Sequence, residues 1–204
     1  IKNFKIKEED NLYLDLYDET DLINPKYTLY FVDHPNRRLK HEKCAVFIVP
    51  QGRETEWLFA TFDGRIELAK QAKFSKIIVV HLNRYHRYKN LDEIKSELSG
   101  KVLELLPKKI VESNDAIPFL SIGGDDIGNR KIIHKGHSEF SGDYVIEDIN
   151  LGEDEAYRRL IFLSSQNIIQ SEAKLKSVKK GKKTILTIDH SVLACKHHEI
   201  IICG

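Results

Sequence analysis

The chain has 204 residues, 41% of them apolar, enough to bury a core in one large domain or two smaller ones. Its 32 basic and 31 acidic side chains nearly cancel, so no net field steers it toward nucleic acid or a membrane, and neither is expected as a partner. The longest apolar runs, KCAVFIVP and KIIVVHL, fall far short of a membrane span, and IKNFKIKEEDN lacks the apolar centre of a signal peptide.

Taken in chain order, YLDLYDE, KYTLYFVDH and CAVFIVP read as strands between residues 12 and 49, punctuated by Asn24-Pro25 and the basic loop HPNRRLKHEK. After Gly52, the apolar positions Trp57, Leu58, Phe62, Ile66, Leu68 and Ala69 recur at helical spacing to about Ala72, with Asp63-Gly64 as a break into two helices. KIIVVHL, from Lys76 to Leu82, is a compact buried strand. In NLDEIKSELSGKVLELLP, Asp92 and Glu93 open a helix that Pro107 ends. This alternation predicts an α/β layer from about residue 40 to 107.

Past Pro107, glycines among short apolar segments predict tight turns between strands. YRRLIFLSSQNIIQSEAKLK reads as a hairpin turning around Ser164 to Asn167, SVKKGKK as a solvated mobile loop, KTILTID as a strand, and HSVLACKHHEIIICG as an unfinished helix with Ser191 as its N-cap. The fold class is mixed α/β: a central sheet with flanking helices over residues 1–150, then β-hairpins and the start of a helix over residues 151–204. The absence of Met and the apolar ending at Gly204 lead us to expect a piece of a longer chain. Three cysteines, Cys44, Cys195 and Cys203, without repeated spacing suit a reducing compartment, so the cytoplasm is the expected location.

Several patterns carry chemistry. SIGGDDIGNR offers glycines to a phosphate, but its spacing is neither GxGxxG nor a P-loop and its two aspartates repel anions, so it reads as a turn. Asp125, Asp126, His134 and His137 hold metal-competent atoms, the basis of one reading as a small metal-dependent hydrolase. Cys195, His197, His198 and Cys203 lack a shared helical face apart from Cys195 with His198. Cys44 opens an apolar strand, where packing is its simplest role. No metal ligand and no nucleophile is assigned. In RETEWLF, Trp57 is expected in the core, with Arg53 paired to Glu56 or Glu54 at the surface; a second reading makes these residues a docking surface.

Four stretches are recognisable together: PQGRETEWLFATFDGRIELAKQAKF, IPFLSIGGDDIG, HKGHSEFSGDYVIEDI and RRLIFLSSQNIIQSEAKL. In this order they resemble a region of the two-domain protein methyltransferases that modify a lysine and the N-terminus of translation elongation factor 1-alpha. The resemblance covers most of the chain from about Cys44 to Gly204. It implies S-adenosylmethionine as cofactor of the parent protein, elongation factor 1-alpha as partner, and a position between two methyltransferase domains, the second of them similar to spermidine synthase. The cofactor loop of that fold, GxGxG between strand and helix, is missing from these residues, so this segment alone is expected to bind no cofactor and to be non-catalytic.

The same resemblance maps Gln170, at the end of the hairpin motif, and His197 and His198, on the leading helix, to positions lining a cleft. It makes Arg53, Glu54 and Glu56 an interdomain or partner surface. The competing reading is a stand-alone module for substrate recruitment or self-association.

Overall fold

The computed structural model describes the backbone of residues 2–7, 11–35, 43–72, 74–112, 116–122, 124, 126–152, 155–181, 183–194 and 200, and the side chains of these from residue 12 onward. Two compact units divide between Ile127 and Gly128, whereas the sequence places the division at residue 150. The reason is strand pairing: the hairpin before residue 150 belongs to the same sheet as the strands after it.

The first unit is built on a six-stranded sheet. Its strands are β1 (Lys2–Lys7), β2 (Asn11–Asp18), β3 (Asp21–Asp33), β4 (Cys44–Ile48), β5 (Lys76–Leu82) and β6 (Phe119–Leu120), in the order β1-β2-β3-β5-β4-β6. β1, β2, β3 and β5 pair antiparallel, and β5, β4 and β6 run parallel. The helices are α1 (Trp57–Ala60), α2 (Phe62–Ala72), α3 (Leu91–Leu105) and α4 (Lys108–Glu112).

Continuous apolar runs in β4 and β5 follow from burial on both faces. Val46, Ile48, Ile78 and Val80 point to one side, where Leu91, Ile94, Leu98 and Val102 of α3 meet them at helical spacing. Phe47, Val49, Ile77 and Val79 point to the other, against Phe59, Leu68 and Ala69 of α1 and α2. Asn90 caps α3 by accepting the Glu93 amide at 2.9 Å, and Pro107 lies just beyond its end.

Several expectations are corrected here. Strand β1 precedes the first strand read from the sequence. Pro25 does not end a strand: it lies within β3, opposite Tyr17, where the pairing register shifts and a missing ladder donor is tolerated. The helical break falls at Thr61 rather than Asp63-Gly64. The Thr61 hydroxyl donates to the Trp57 carbonyl at 2.9 Å and accepts the Gly64 amide at 3.0 Å, closing one helix and capping the next. Gly64 serves that junction by its lack of a side chain, since a Cβ there would sit 2.0 Å from the Trp57 carbonyl oxygen.

The second unit is a five-stranded antiparallel sheet. β7 (Asn129–Ser138), β8 (Gly142–Asn150), β9 (Ala156–Phe162), β10 (Ser171–Lys180) and β11 (Lys183–Ile188) follow one another as a meander, with β7 and β11 at the edges. The expected hairpin is β9 and β10, joined through a 3-10 turn, Leu163–Ser165. SVKKGKK, expected as a mobile loop, is instead the closing end of the β10–β11 hairpin, with Lys180 paired to Lys183. The Ser191 amide and hydroxyl both donate to the Asp189 carboxylate, and most of the helix expected after Ser191 lies outside the described residues.

One face of this sheet buries Val145, Ile149 and Ile161 together with charge. Arg130 lies 3.2 Å from Glu147, and Arg159, opposite both Glu147 and Glu172, donates to Glu172 at 2.5 Å. Opposite charges thus alternate across four neighbouring strands.

Two measurements test these interiors. His81 is buried against Tyr30, and loss of hydration, reinforced by the nearby Arg65 charge, drives its pKa from 6.5 down to about 3. The unfolded chain therefore takes up a proton between these values that the folded chain refuses, so stability is fully present above pH 6.5 and is lost on acidification at about 1.4 kcal/mol per pH unit. Denaturant titrations between pH 4 and 7 should show that part of the slope vanish in His81→Gln. In the second unit, Glu147→Leu removes the buried carboxylate 3.2 Å from Arg130 and should cost about 3–5 kcal/mol by chemical denaturation.

Candidate functional site

Parallel strands in an open α/β sheet place ligand- and partner-facing loops at their carboxyl ends. In the first unit the loop after β4 is Pro50–Glu56. Pro50, Gln51 and Gly52 are buried, and the Gln51 amide donates to the Ile127 carbonyl at 2.7 Å. Two successive turns follow, closed by the Arg53 amide on Pro50 and the Glu56 amide on Arg53.

These turns separate the three charges that the sequence groups together. Arg53 grips Glu56 with a fork of two bonds, Nε to Oε1 at 2.6 Å and Nη2 to Oε2 at 2.9 Å, on the partly exposed rim. Glu54 turns the other way. Its carboxylate is buried, accepts the Gly52 amide at 2.7 Å and lies 3.8 Å from Arg84, itself buried at the carboxyl end of β5. Glu54 is therefore corrected from a surface residue to an internal brace between two loops.

Trp57 is corrected in the opposite direction. It is 57% exposed at the start of α1, and Phe59 fills the core place instead, stacked on Phe47. The rim thus presents the indole of Trp57 beside the Arg53–Glu56 pair.

The other sequence candidates are dispersed. Cys44 is buried in β4, and burial pushes its thiol up to about 11, which suits packing and disfavours a nucleophile. His137 pairs with Asp143 at 2.7 Å across the β7–β8 hairpin. His134 lies beside the Tyr144 ring, and that ring crosses Gly136 so closely that a Cβ would meet it at 2.5 Å. Asp126 lies in the exposed loop ahead of β7, and Asp125 lies outside the described residues. Among the described residues no group of three His, Cys, Asp or Glu is placed to hold a metal ion, and no helix is long and apolar enough to cross a membrane. Gln170 is exposed at the end of the β9–β10 turn, its amide donating to Leu160. His197, His198, Cys195 and Cys203 lie outside the described residues.

The second unit holds a feature that sequence reading missed, an open concavity of about 510 Å³. Its floor is a cross-strand row in which Lys131 of β7 stands opposite Asp148 of β8, which stands opposite Arg158 of β9. Arg158 forks onto Asp148 at 2.7 and 2.9 Å, and that bonding raises the already high pKa of the guanidinium. Thr184 and Leu186 of β11 form another part of the lining. Only strand register could reveal this row, because its three members are separated by 17 and 10 positions in sequence.

The corner after β4 yields a contrast in stability. Glu54→Ala leaves the Gly52 amide and Arg84 without that carboxylate and should cost about 1–3 kcal/mol. Glu56→Ala breaks a rim pair and should cost under about 1 kcal/mol. Thermal or denaturant unfolding of the two variants measures the difference.

No family model and no solved structure matches the chain. Curated relatives named eEF1A lysine and N-terminal methyltransferase match it at 47% identity in Xenopus laevis and 44% in Homo sapiens, each over 94% of this chain and 30% of the relative. A Drosophila melanogaster protein named as their homolog is 43% identical over 98% of this chain and 29% of its own length. The chain thus spans about 30% of the length of the curated relatives it matches. Along nearly all of its length, the chain is similar to a segment of proteins named eEF1A lysine and N-terminal methyltransferase.

Proposed function

We propose that this chain is the middle, non-catalytic segment of an S-adenosylmethionine-dependent methyltransferase that modifies a lysine and the N-terminal amine of elongation factor 1-alpha, in the cytoplasm. The observation that carries the reading is the 43–47% identity to proteins of that name across about 94% of the chain. In such a protein the cofactor supplies an electrophilic methyl group. The task left to the polypeptide is to hold the accepting amine deprotonated and in line.

The loop after β4 does not fit a cofactor cradle. Its Gly52 amide already donates to the Glu54 carboxylate at 2.7 Å, and a negative group at that amide repels a phosphate or carboxylate of a ligand. This supports a supporting role for the segment, as do the exposed Trp57 and the Arg53–Glu56 pair, which give a partner surface an aromatic anchor beside a charged rim. The β9–β10 hairpin is read as the entry to a spermidine-synthase-like domain. Gln170, exposed at its turn, is then available to a cleft completed by later residues, among them His197 and His198.

Calorimetric titration of the chain against elongation factor 1-alpha and, separately, against S-adenosylmethionine tests the proposal. The expected result is heat with the protein, reduced at least tenfold in affinity by Trp57→Ala, and none with the cofactor. Saturable cofactor binding overturns the non-catalytic assignment. Absence of binding to elongation factor overturns recruitment through this rim.

A further inference from the structure

The two edges of the second unit's sheet border one space. Lys131 and Ile133 of β7 and Ile185 and Leu186 of β11 line the same 510 Å³ concavity, although no ladder joins β7 to β11 among the described residues. Each edge strand of a sheet carries backbone donors and acceptors along its unpaired side, a ready template for another strand. A volume of this size lies within the range of about 300–1,000 Å³ usual for binding clefts.

The surroundings select for charge. Asp148 is the one acidic side chain in the lining, and Arg158 grips it with both bonds of its fork. Lys131 is exposed at the edge-strand end of the floor row, and Lys179, Lys180 and Lys183 stand exposed on the adjoining β10–β11 hairpin. Of the acidic residues on neighbouring strands, Glu147 lies against Arg130, Glu172 against Arg159 and Asp189 against Lys176, and exposed Glu155 stands at the Asn150 end of the lining, so the positive character lies with Lys131 and the hairpin lysines. In the same lining, Ile133, Ile185 and Leu186 are 40%, 42% and 47% exposed. A segment that carries both carboxylates and apolar side chains offers a partner to each kind of group, and as a strand it turns successive residues to opposite sides of the cleft. The lining holds no aromatic ring on which a nucleic-acid base could stack.

We propose that the concavity bordered by β7 and β11 binds an extended acidic segment of a partner protein, added as a strand between the two sheet edges. This stands apart from the methyl-transfer reading and can fail or succeed without it.

The test uses three fluorescent probes: a peptide of alternating valine and glutamate, a peptide of alternating valine and lysine, and a single-stranded RNA oligomer. Anisotropy measures binding, and amide hydrogen exchange locates it. The expected result is binding of the valine–glutamate peptide alone, with new protection in both β7 and β11. Lys131→Glu and Leu186→Glu should each weaken binding at least tenfold in proteins that keep their circular dichroism spectrum. Ile168→Glu, at the exposed β9–β10 turn, should leave it unchanged. Failure to bind, equal binding of the valine–lysine peptide, preference for RNA, protection confined to the tip around Lys180, or indifference to Lys131→Glu each overturns the proposal.

Discussion

The first unit depends on removing both faces of the parallel pair β4 and β5 from water. Val46 and Phe47 are neighbours in sequence yet belong to opposite hydrophobic layers, and the same holds for Ile77 and Ile78. Burying two faces requires a helix layer on each, which α3 provides on one side and α1 with α2 on the other. The loops at the carboxyl ends of the two strands are thereby brought together, and the Glu54–Arg84 brace joins them. Trp57 stays outside because the short helix it opens reaches the core through Phe59.

The second unit is organised differently. Its sheet carries a row of alternating charges, Arg130, Glu147 and Arg159 buried and Glu172 half-buried, beside Val145, Ile149 and Ile161. Burying charge is costly unless every member is matched, and a one-residue slip of any strand would carry a member to the opposite face. A register in which Arg130 and Arg159 stay beside Glu147 and Glu172 avoids that cost. The other face carries the second row, Lys131, Asp148 and Arg158, which remains open to the concavity.

Homology and geometry bear on different levels of function. The relatives' name speaks of methyl transfer to elongation factor 1-alpha, and the chain corresponds to about 30% of their length. The geometry speaks of surfaces: an aromatic and charged rim in one unit, and a cationic concavity between sheet edges in the other.

The sequence by itself determined those features that rest on local pattern. The β4 and β5 strands, α3 with its stop at Pro107, the β9–β10 hairpin and the packing of Cys44 follow from runs, periodicity and breakers that act over a few residues. Four ordered motifs carried the resemblance that the relatives' identity supports. Tertiary structure alone decided which way Glu54 and Trp57 face, that Pro25 sits inside a bulged strand, and that the lysine-rich stretch closes a hairpin. It also decided that the second sheet takes in β7 and β8, and that Lys131, Asp148 and Arg158 form one row. The physical reason is common to all of these: side-chain direction in a turn and strand register across a sheet are set by contacts between residues distant in sequence, which no local spacing encodes.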